Sequence, residues 1–342
     1  MLINQDFAQS QSKSLDELTN GPHLDKVSAP HPESAPQDQY TKARQLLAQT
    51  VVKIDGAYAP ATIRAYRANF EAFIAYCEHH QQPALPTTTQ TLTSYIAHLA
   101  NGHLKSSSIR IAVVAVCAIH RLNRYEDPSK DPDVTLEVRR MYRKLGRASS
   151  QAIGVNYATL EKLVNATDDS LRGTRDRALA LLAYDSLCRR SELVALRVED
   201  ISCANREKGL QIRLRKSKTD PNAMGKWLHL TKRTQAAIEA WLTKSEITSG
   251  FLFRGITRNN TLTKGLAGAQ INRIYKNLAK EAKLDTQMVE HISGHSMRVG
   301  CAQDLLTSGA TMPILMTRGR WSKSDTVMRY VENASITLKS EQ

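Results

Sequence analysis

Residues 320–330 read Arg-Trp-Ser-Lys-Ser-Asp-Thr-Val-Met-Arg-Tyr, and how this stretch folds decides what the end of the chain can do. On one unbroken helix, Trp321 and Tyr330 would stand about two and a half turns apart and face opposite sides. For the two rings to act together, the helix must break between them. Ser322, Ser324 and Asp325 supply cap residues for a fresh start, so the stretch reads as a helix end followed by a short helix near 326–331. Taken alone, Trp321 as core and Tyr330 as the edge of the core is the plainer reading.

Upstream, Ser293-Gly-His-Ser-Met-Arg298 opens a helical stretch over 296–308. His295 and Arg298 are three residues apart, so both project from one face beside unpaired backbone N–H groups, a place that favours an anion. Further upstream, Leu187-Cys-Arg-Arg-Ser-Glu-Leu193 puts two arginines where one helix gives way to the next. Ser191 is a candidate cap there, and Glu192 is close enough to orient a guanidinium. Between these motifs, Leu210–Arg215 and Trp227–Leu230 alternate in polarity around a loop containing Pro221, Asn222 and Gly225, which predicts a hairpin with Lys218 at its turn end. Singly, each of these residues is what an ordinary solvated or structural side chain looks like.

The rest of the chain is read as helical. In the second half, 156–165, 174–186, 189–196, 234–243, 267–282 and 312–318 carry helical patterns. The stretch 146–154, GRASSQAIG, is short of large apolar residues and reads as a linker. Before it lie helices around Leu46, Leu47 and Val51, over 62–79, over 89–100, from Ser106–Ser108 as caps to Leu122, and over 134–145. The first 40 residues are rich in Gln, Ser, Pro and Asp and poor in aromatics, a composition that cannot bury enough apolar area to order itself. The expected organisation is therefore a disordered acidic arm at 1–40, a helical bundle at 41–145, a linker at 146–154 and a second domain at 155–342. The fold class is mainly α with a small antiparallel β-sheet.

At 342 residues the chain suits two domains. Its formal charge is +14, and the first 40 residues hold two bases against six acids, so the remainder is four charges more basic than the whole. Such an excess suits a polyanion partner, because each cation that neutralises a phosphate releases condensed counterions. There is no long uncharged apolar run and no signal-like N-terminus, so neither a membrane partner nor secretion is expected. The five cysteines are scattered without metal-ligand spacing and are read as reduced, packed and free of metal.

The ordered conjunction of Arg, Lys, His-x-x-Arg, Trp and Tyr changes the weight of the single motifs. Here the chain resembles the tyrosine recombinases of the phage integrase family. SLCRRSEL is similar to that family's first arginine box, SGHSMRVG to its second, and RWSKSDTVMRY to its tryptophan-to-tyrosine segment. YAPATIRAYRANFEAFIAYC, VTLEVRRMYRKL and QAI extend the likeness, so it covers about residues 57–330. The resemblance implies Arg189, not Arg190, as the first catalytic arginine, with Glu192 as its supporting acid. It implies Lys218 as the hairpin lysine, His295 and Arg298 as the second pair, Trp321 as a phosphate contact and Tyr330 as the nucleophile. It further implies a 3′-phosphotyrosyl intermediate formed without metal, ATP or other cofactor.

Physical chemistry agrees with these roles. Two guanidinium forks can donate in parallel to the non-bridging oxygens on which charge develops. A phenol of pKa about 10 becomes more acidic between cations, and a mobile lysine can protonate the departing 5′ oxygen. The resemblance also implies two lobes closing as a clamp on duplex DNA, inverted-repeat sites, a homotetramer on two sites, and a cytoplasmic, nucleoid-associated life in a bacterial or phage-infected cell, with a mobile element as source. Phosphate contacts are expected from Arg139, Arg140, Arg143 and Lys144, and base readout from Arg64, Arg67, Ser108, Arg110, Gln270 and Arg273. Ala269 stands where the resembled pattern has a base-contacting arginine, which implies a different target site. The tail after Tyr330, VENASITLKSEQ, is short, with Ile336 and Leu338 as apolar anchors toward a neighbouring subunit. Two other functions compete: a type IB topoisomerase-like relaxing enzyme, and a DNA-binding relative that has lost catalysis.

Overall fold

The computed structural model describes residues 36–147, 152–202, 210–215, 225–228 and 230–331, in two compact units divided at Ser149 and Ser150. The first unit holds α1 (Pro36–Lys53), α2 (Pro60–His79), α3 (Thr89–Asn101), α4 (Ser106–Leu122) and α5 (Pro132–Leu145). In α2, Ile63, Phe70, Phe73, Ile74 and Cys77 fall on one face at helical spacing and are all buried. Phe70, Phe73, Ile74 and Cys77 share a core with Leu92 and Ile96 of α3 and Ile109, Val116 and Ile119 of α4. Local signals fix the helix starts. Thr88 Oγ1 accepts the Thr91 N–H at 3.1 Å before α3, and Asp131 accepts the Asp133 N–H at 2.8 Å before α5.

Two expectations for this unit are corrected. α1 already runs from Pro36, ahead of the expected boundary at residue 40, and the Tyr40 hydroxyl within it is buried and lies 3.2 Å and 3.1 Å from the carbonyls of Cys77 and Gln82; the rest of the expected arm lies outside the described residues. The serines at 106–108 do not cap α4, which already begins at Ser106; the cap position is Lys105, with no side-chain bond. One buried group bears on pH. His120 Nε2 accepts the Thr87 N–H at 2.9 Å, so Nδ1, 2.7 Å from the Val116 carbonyl, carries the proton of a neutral ring.

The second unit begins with α6 (Tyr157–Asn165), α7 (Leu171–Ser186) and the one-turn α8 (Arg190–Leu193). Strands β1 (Ile201–Ser202), β2 (Gln211–Leu214) and β3 (Lys226–Leu228) follow, and then α9 (Lys232–Ser245) and α10 (Gly268–Glu281). The unit ends with α11 (Thr286–His291), α12 (Ser296–Thr307), α13 (Met312–Gly319) and α14 (Ser324–Val331). Every residue from Ala178 to Tyr184 of α7 is buried, as expected of a helix packed on several sides, here by α6, α9 and α12. The sheet is antiparallel in the order β1-β2-β3, with Ile212 opposite both Ile201 and Leu228.

Some boundaries differ from the sequence reading. β1 has two residues, too few to show alternation, and turns the expected hairpin into a three-stranded sheet. The helix expected over 189–196 closes after one turn, at Leu193. α11 has no buried residue, so it carries no apolar stripe; Asp285 starts it by accepting the Met288 N–H at 2.8 Å. The far end of the expected linker is packed rather than loose. A Cβ on Gly154 would stand 2.3 Å from Gln303 Oε1 and 3.3 Å from Gly300 Cα, and the next residue, Val155, donates to the Ser296 carbonyl at 2.9 Å. Cys77, Cys117, Cys188 and Cys301 are buried free thiols, while Cys203 lies outside the described residues.

Candidate active site

Two helix ends form the floor of the site. α7 ends at Leu187 and α13 at Arg320, both in the left-handed region with φ 49° and 56°. A helix end leaves carbonyls without intrahelical donors, and it carries partial negative charge. Arg298 of α12 meets both needs: Nη1 donates to the Leu187 carbonyl and Nη2 to that of Gly319. Its side chain is 0% exposed, yet Nε has no hydrogen-bond partner among the described residues. A guanidinium carries five donors, so this one retains capacity for another acceptor.

Aromatic rings cover that guanidinium. The Trp321 ring lies 4.3 Å and the Tyr330 ring 5.6 Å from Arg298 Cζ, and the two ring centroids are 5.1 Å apart. The break expected between them is present: α13 stops at Gly319 and α14 begins at Ser324. Within α14, Val327 is fully buried, and Tyr330, three residues on, shares its face. Gly319 is required by the packing, since a Cβ there would stand 1.9 Å from Trp321 Cζ3. The indole Nε1 of Trp321 is buried and has no partner among the described residues.

The first arginine box faces this cluster. Glu192 is 4% exposed and accepts from the Arg189 backbone N–H at 2.9 Å, from Arg189 Nη1 at 2.8 Å and from Arg320 Nη2 at 3.0 Å. Burial pushes its pKa up, but Arg320 first and then the bonds from Arg189 outweigh that and hold it below the usual carboxylate value. Glu192, not Ser191, thus caps α8, because its carboxylate reaches back to the Arg189 N–H. Arg190 instead lies along the loop before His295: a Cβ on Gly294 would lie 2.9 Å from its Cδ. His295 stands just before α12 with an exposed edge. The burial its ring does have, then Arg298, Arg190 and Arg189, hold its pKa below the usual imidazole value. Burial, followed by the charge of Arg189, likewise lowers Arg298.

Arg189, Glu192, His295, Arg298, Trp321 and Tyr330 are therefore brought to one place, while Lys218 lies outside the described residues. Two contributors were missed. Arg320, 8% exposed, donates from Nη1 to the Ser186 carbonyl at 2.9 Å and from Nη2 to that of Leu187 at 3.1 Å. Its only sequence signal was a place beside Trp321. Asn272 of α10 accepts the Gly294 N–H at 2.8 Å and so ties α10 to the loop before α12. Nothing in its own spacing indicated that bond.

The candidate DNA contacts lie on helix surfaces. Arg64 and Arg67 are exposed on α2, Ser108 and Arg110 on α4, and Arg273 on α10. Arg139, Arg140, Arg143 and Lys144 are exposed on α5, with Arg140 paired to Glu137 at 2.9 Å and Lys144 bonded to Asn101. Gln270 Oε1 accepts the Ala267 N–H at 2.7 Å, which commits that end of the amide to starting α10. Among the described residues no group of three or more His, Cys, Asp or Glu could hold a metal ion, and no helix is long and apolar enough to cross a membrane.

Comparison with known proteins gives a consistent result. Residues 156–335 match the phage integrase family, and residues 49–124 match the phage integrase N-terminal SAM-like domain. An integrase/recombinase xerD homolog of Selenomonas ruminantium is 28% identical over 296 residues, 83% of this chain and 85% of that protein. The recombinase cre of Escherichia phage P1 is 25% identical over 293 residues, 81% of this chain and 85% of that one. The fold is shared with the XerH site-specific recombinase, solved in a post-cleavage complex on its palindromic difH substrate. That match has a TM-score of 0.65 at 11% identity and covers 91% of this chain and 97% of XerH.

Proposed function

This chain belongs to the phage integrase family and is a tyrosine site-specific recombinase, and from that premise we propose that Tyr330 is its nucleophile, acting on duplex DNA with inverted-repeat sites. The observation that carries this reading is the Tyr330 ring set beside Trp321 and against the buried guanidinium of Arg298. The Tyr330 oxygen attacks the phosphorus, the bond to the 5′ oxygen breaks, and the DNA 3′ end is left as a phosphotyrosyl ester. Arg189 and Arg298 donate to the two non-bridging oxygens as charge builds there. The phenolic proton passes to His295, whose depressed pKa keeps it neutral and able to accept. The 5′ oxygen takes its proton from Lys218, and Trp321 adds its indole N–H to the phosphate. Because the ester conserves the bond, a 5′ hydroxyl from another strand can reverse the step without ATP.

We assign Arg139, Arg140, Arg143 and Lys144 to phosphate contacts, and Arg64, Arg67, Ser108, Arg110, Arg273 and the NH₂ end of Gln270 to base readout. A tetramer on two sites and a mobile-element source complete the proposal. The +14 charge and the DNA complex of XerH support duplex DNA as the partner. The relaxing-enzyme alternative is not favoured, since residues 49–124 match the integrase N-terminal domain. The test uses a library of nicked duplexes of randomised sequence, incubated with the protein without Mg²⁺ or ATP. Covalently bound duplexes are expected to converge on one site, and Tyr330→Phe to bind that site without trapping it. An adduct that survives in Tyr330→Phe would overturn the assignment.

A further inference from the structure

Arg320 has no place in the chemistry described above, yet its side chain is almost wholly buried and heavily bonded. Its Nη2 shares the Glu192 carboxylate with Arg189, at 3.0 Å from Oε2, while Arg189 Nη1 lies 2.8 Å from Oε1. The Leu187 carbonyl that accepts Arg320 Nη2 at 3.1 Å also accepts Arg298 Nη1. Both guanidiniums of the site are thus seated on acceptors that Arg320 also holds. Its backbone is as telling as its side chain. At φ 56° a residue with a Cβ sits in a region that costs energy and persists only where surrounding bonds over-determine it. That turn places the Gly319 carbonyl on Arg298 and, one residue later, the Trp321 ring over the same guanidinium. Three consecutive residues therefore serve Arg298, Glu192 and Arg298 again.

We propose that Arg320 is a positioning residue for strand cleavage: it holds Glu192 where that carboxylate orients Arg189, and its left-handed turn sets Trp321 over Arg298. A lone buried carboxylate with one cationic partner is freer to shift, and a displaced Glu192 takes the Arg189 fork with it. This rests on the reading of Arg189, Arg298 and Tyr330 as catalytic, and it adds a residue that touches neither DNA nor the reacting atoms.

The experiment is single-turnover cleavage of the duplex selected from the randomised library, measured against enzyme concentration for the full chain. Arg320→Met is expected to cleave about 100-fold more slowly at saturating enzyme, as a misplacement of about 1 Å would. The enzyme concentration for half-maximal rate should be unchanged, because DNA binding is untouched. Arg320→Lys keeps a buried charge but loses the planar fork, and is expected to fall about tenfold. Because both act through one carboxylate, Glu192→Gln combined with Arg320→Met should be within about threefold of the slower single variant. A residue that merely supports the fold would instead give additive losses and a changed half-saturation point. If either Arg320 variant, folded by circular dichroism, cleaves within about threefold of the native rate, the proposal is overturned. If Arg320→Met does not fold, Arg320→Lys decides alone. Tyr330→Phe, run in parallel, separates the two readings: an adduct there sinks the nucleophile assignment, whereas native rates in the Arg320 variants sink only this one.

Discussion

Arg298 has no exposed surface, spends two donors on helix-end carbonyls and lies beneath two aromatic rings, whereas Arg143 on α5 stands in solvent. The contrast extends to their neighbourhoods. In the second unit, Arg189 and Arg320 share the buried Glu192; in the first, Arg139, Arg140, Arg143 and Lys144 crowd one exposed helix surface, with Arg140 paired to Glu137 and Lys144 to Asn101. A cation that must meet charge developing at one fixed point has to be oriented before substrate arrives, so that nothing reorganises during reaction. A cation that neutralises a backbone phosphate works by number and proximity, and its gain comes from released counterions. On the proposed assignment the same residue type serves two purposes, and burial tells them apart.

The strongest way to break that comparison is at Arg298. Arg298→Met, checked as folded by circular dichroism, should lower single-turnover cleavage by about 1000-fold, and a loss under tenfold would mean that the buried fork does not act on the phosphate. Gly319→Ala probes the same cluster without touching a charge. The added Cβ meets Trp321 at 1.9 Å, and shifting the indole should slow cleavage about 100-fold while leaving DNA affinity in place. A native rate would show that Trp321 need not lie where it does.

The two depressed histidines sharpen the comparison through pH. His295 must be neutral to accept a proton, and its pKa is lowered by partial burial and then by Arg298, so cleavage should hold through the usual imidazole value of about 6.5 and fall only below it. A rate already halved at pH 7 would contradict that sign. His120 is lowered by burial too, but its consequence is stability. The folded state favours the neutral ring, so stability is full above the unfolded value of about 6.5 and declines as pH falls from there toward the lower folded value. Thermal unfolding of the native chain at pH 7 and pH 5 should show the lower melting temperature at pH 5. The smallest effect belongs to the exposed set: Arg143→Ala should lower the slope of log affinity against log salt by about 1 without changing sequence preference. A lost preference with an unchanged slope would move Arg143 to base readout.

Much of the fold and of the site was legible because the signals were local. The face of Ile63, Phe70, Phe73, Ile74 and Cys77 needs only helical spacing to be seen, and the break before Tyr330 needs only the residues around it. Arg320 was not legible, because its burial is made by partners 128 to 134 residues away in the chain. The caps proposed at Ser106–Ser108 and Ser191 failed for a related reason. A hydroxyl at the right place suggests a cap, but Glu192 reaches the Arg189 N–H at α8, and α4 starts from Lys105 without a side-chain bond. β1 escaped notice because a two-residue strand is defined by its pairing with β2 and not by its own pattern.

The central claim is that Tyr330 becomes joined to a DNA 3′ phosphate, and it can be read directly. The covalent complex trapped on the selected nicked duplex would be digested with nuclease and trypsin, and the nucleotide-bearing peptide sequenced by mass spectrometry. Cleavage after Arg329 and Lys339 would release residues 330–339, YVENASITLK, with the phosphonucleotide expected on its first residue. A nucleotide carried by any other peptide, or an adduct through a 5′ phosphate, would contradict it.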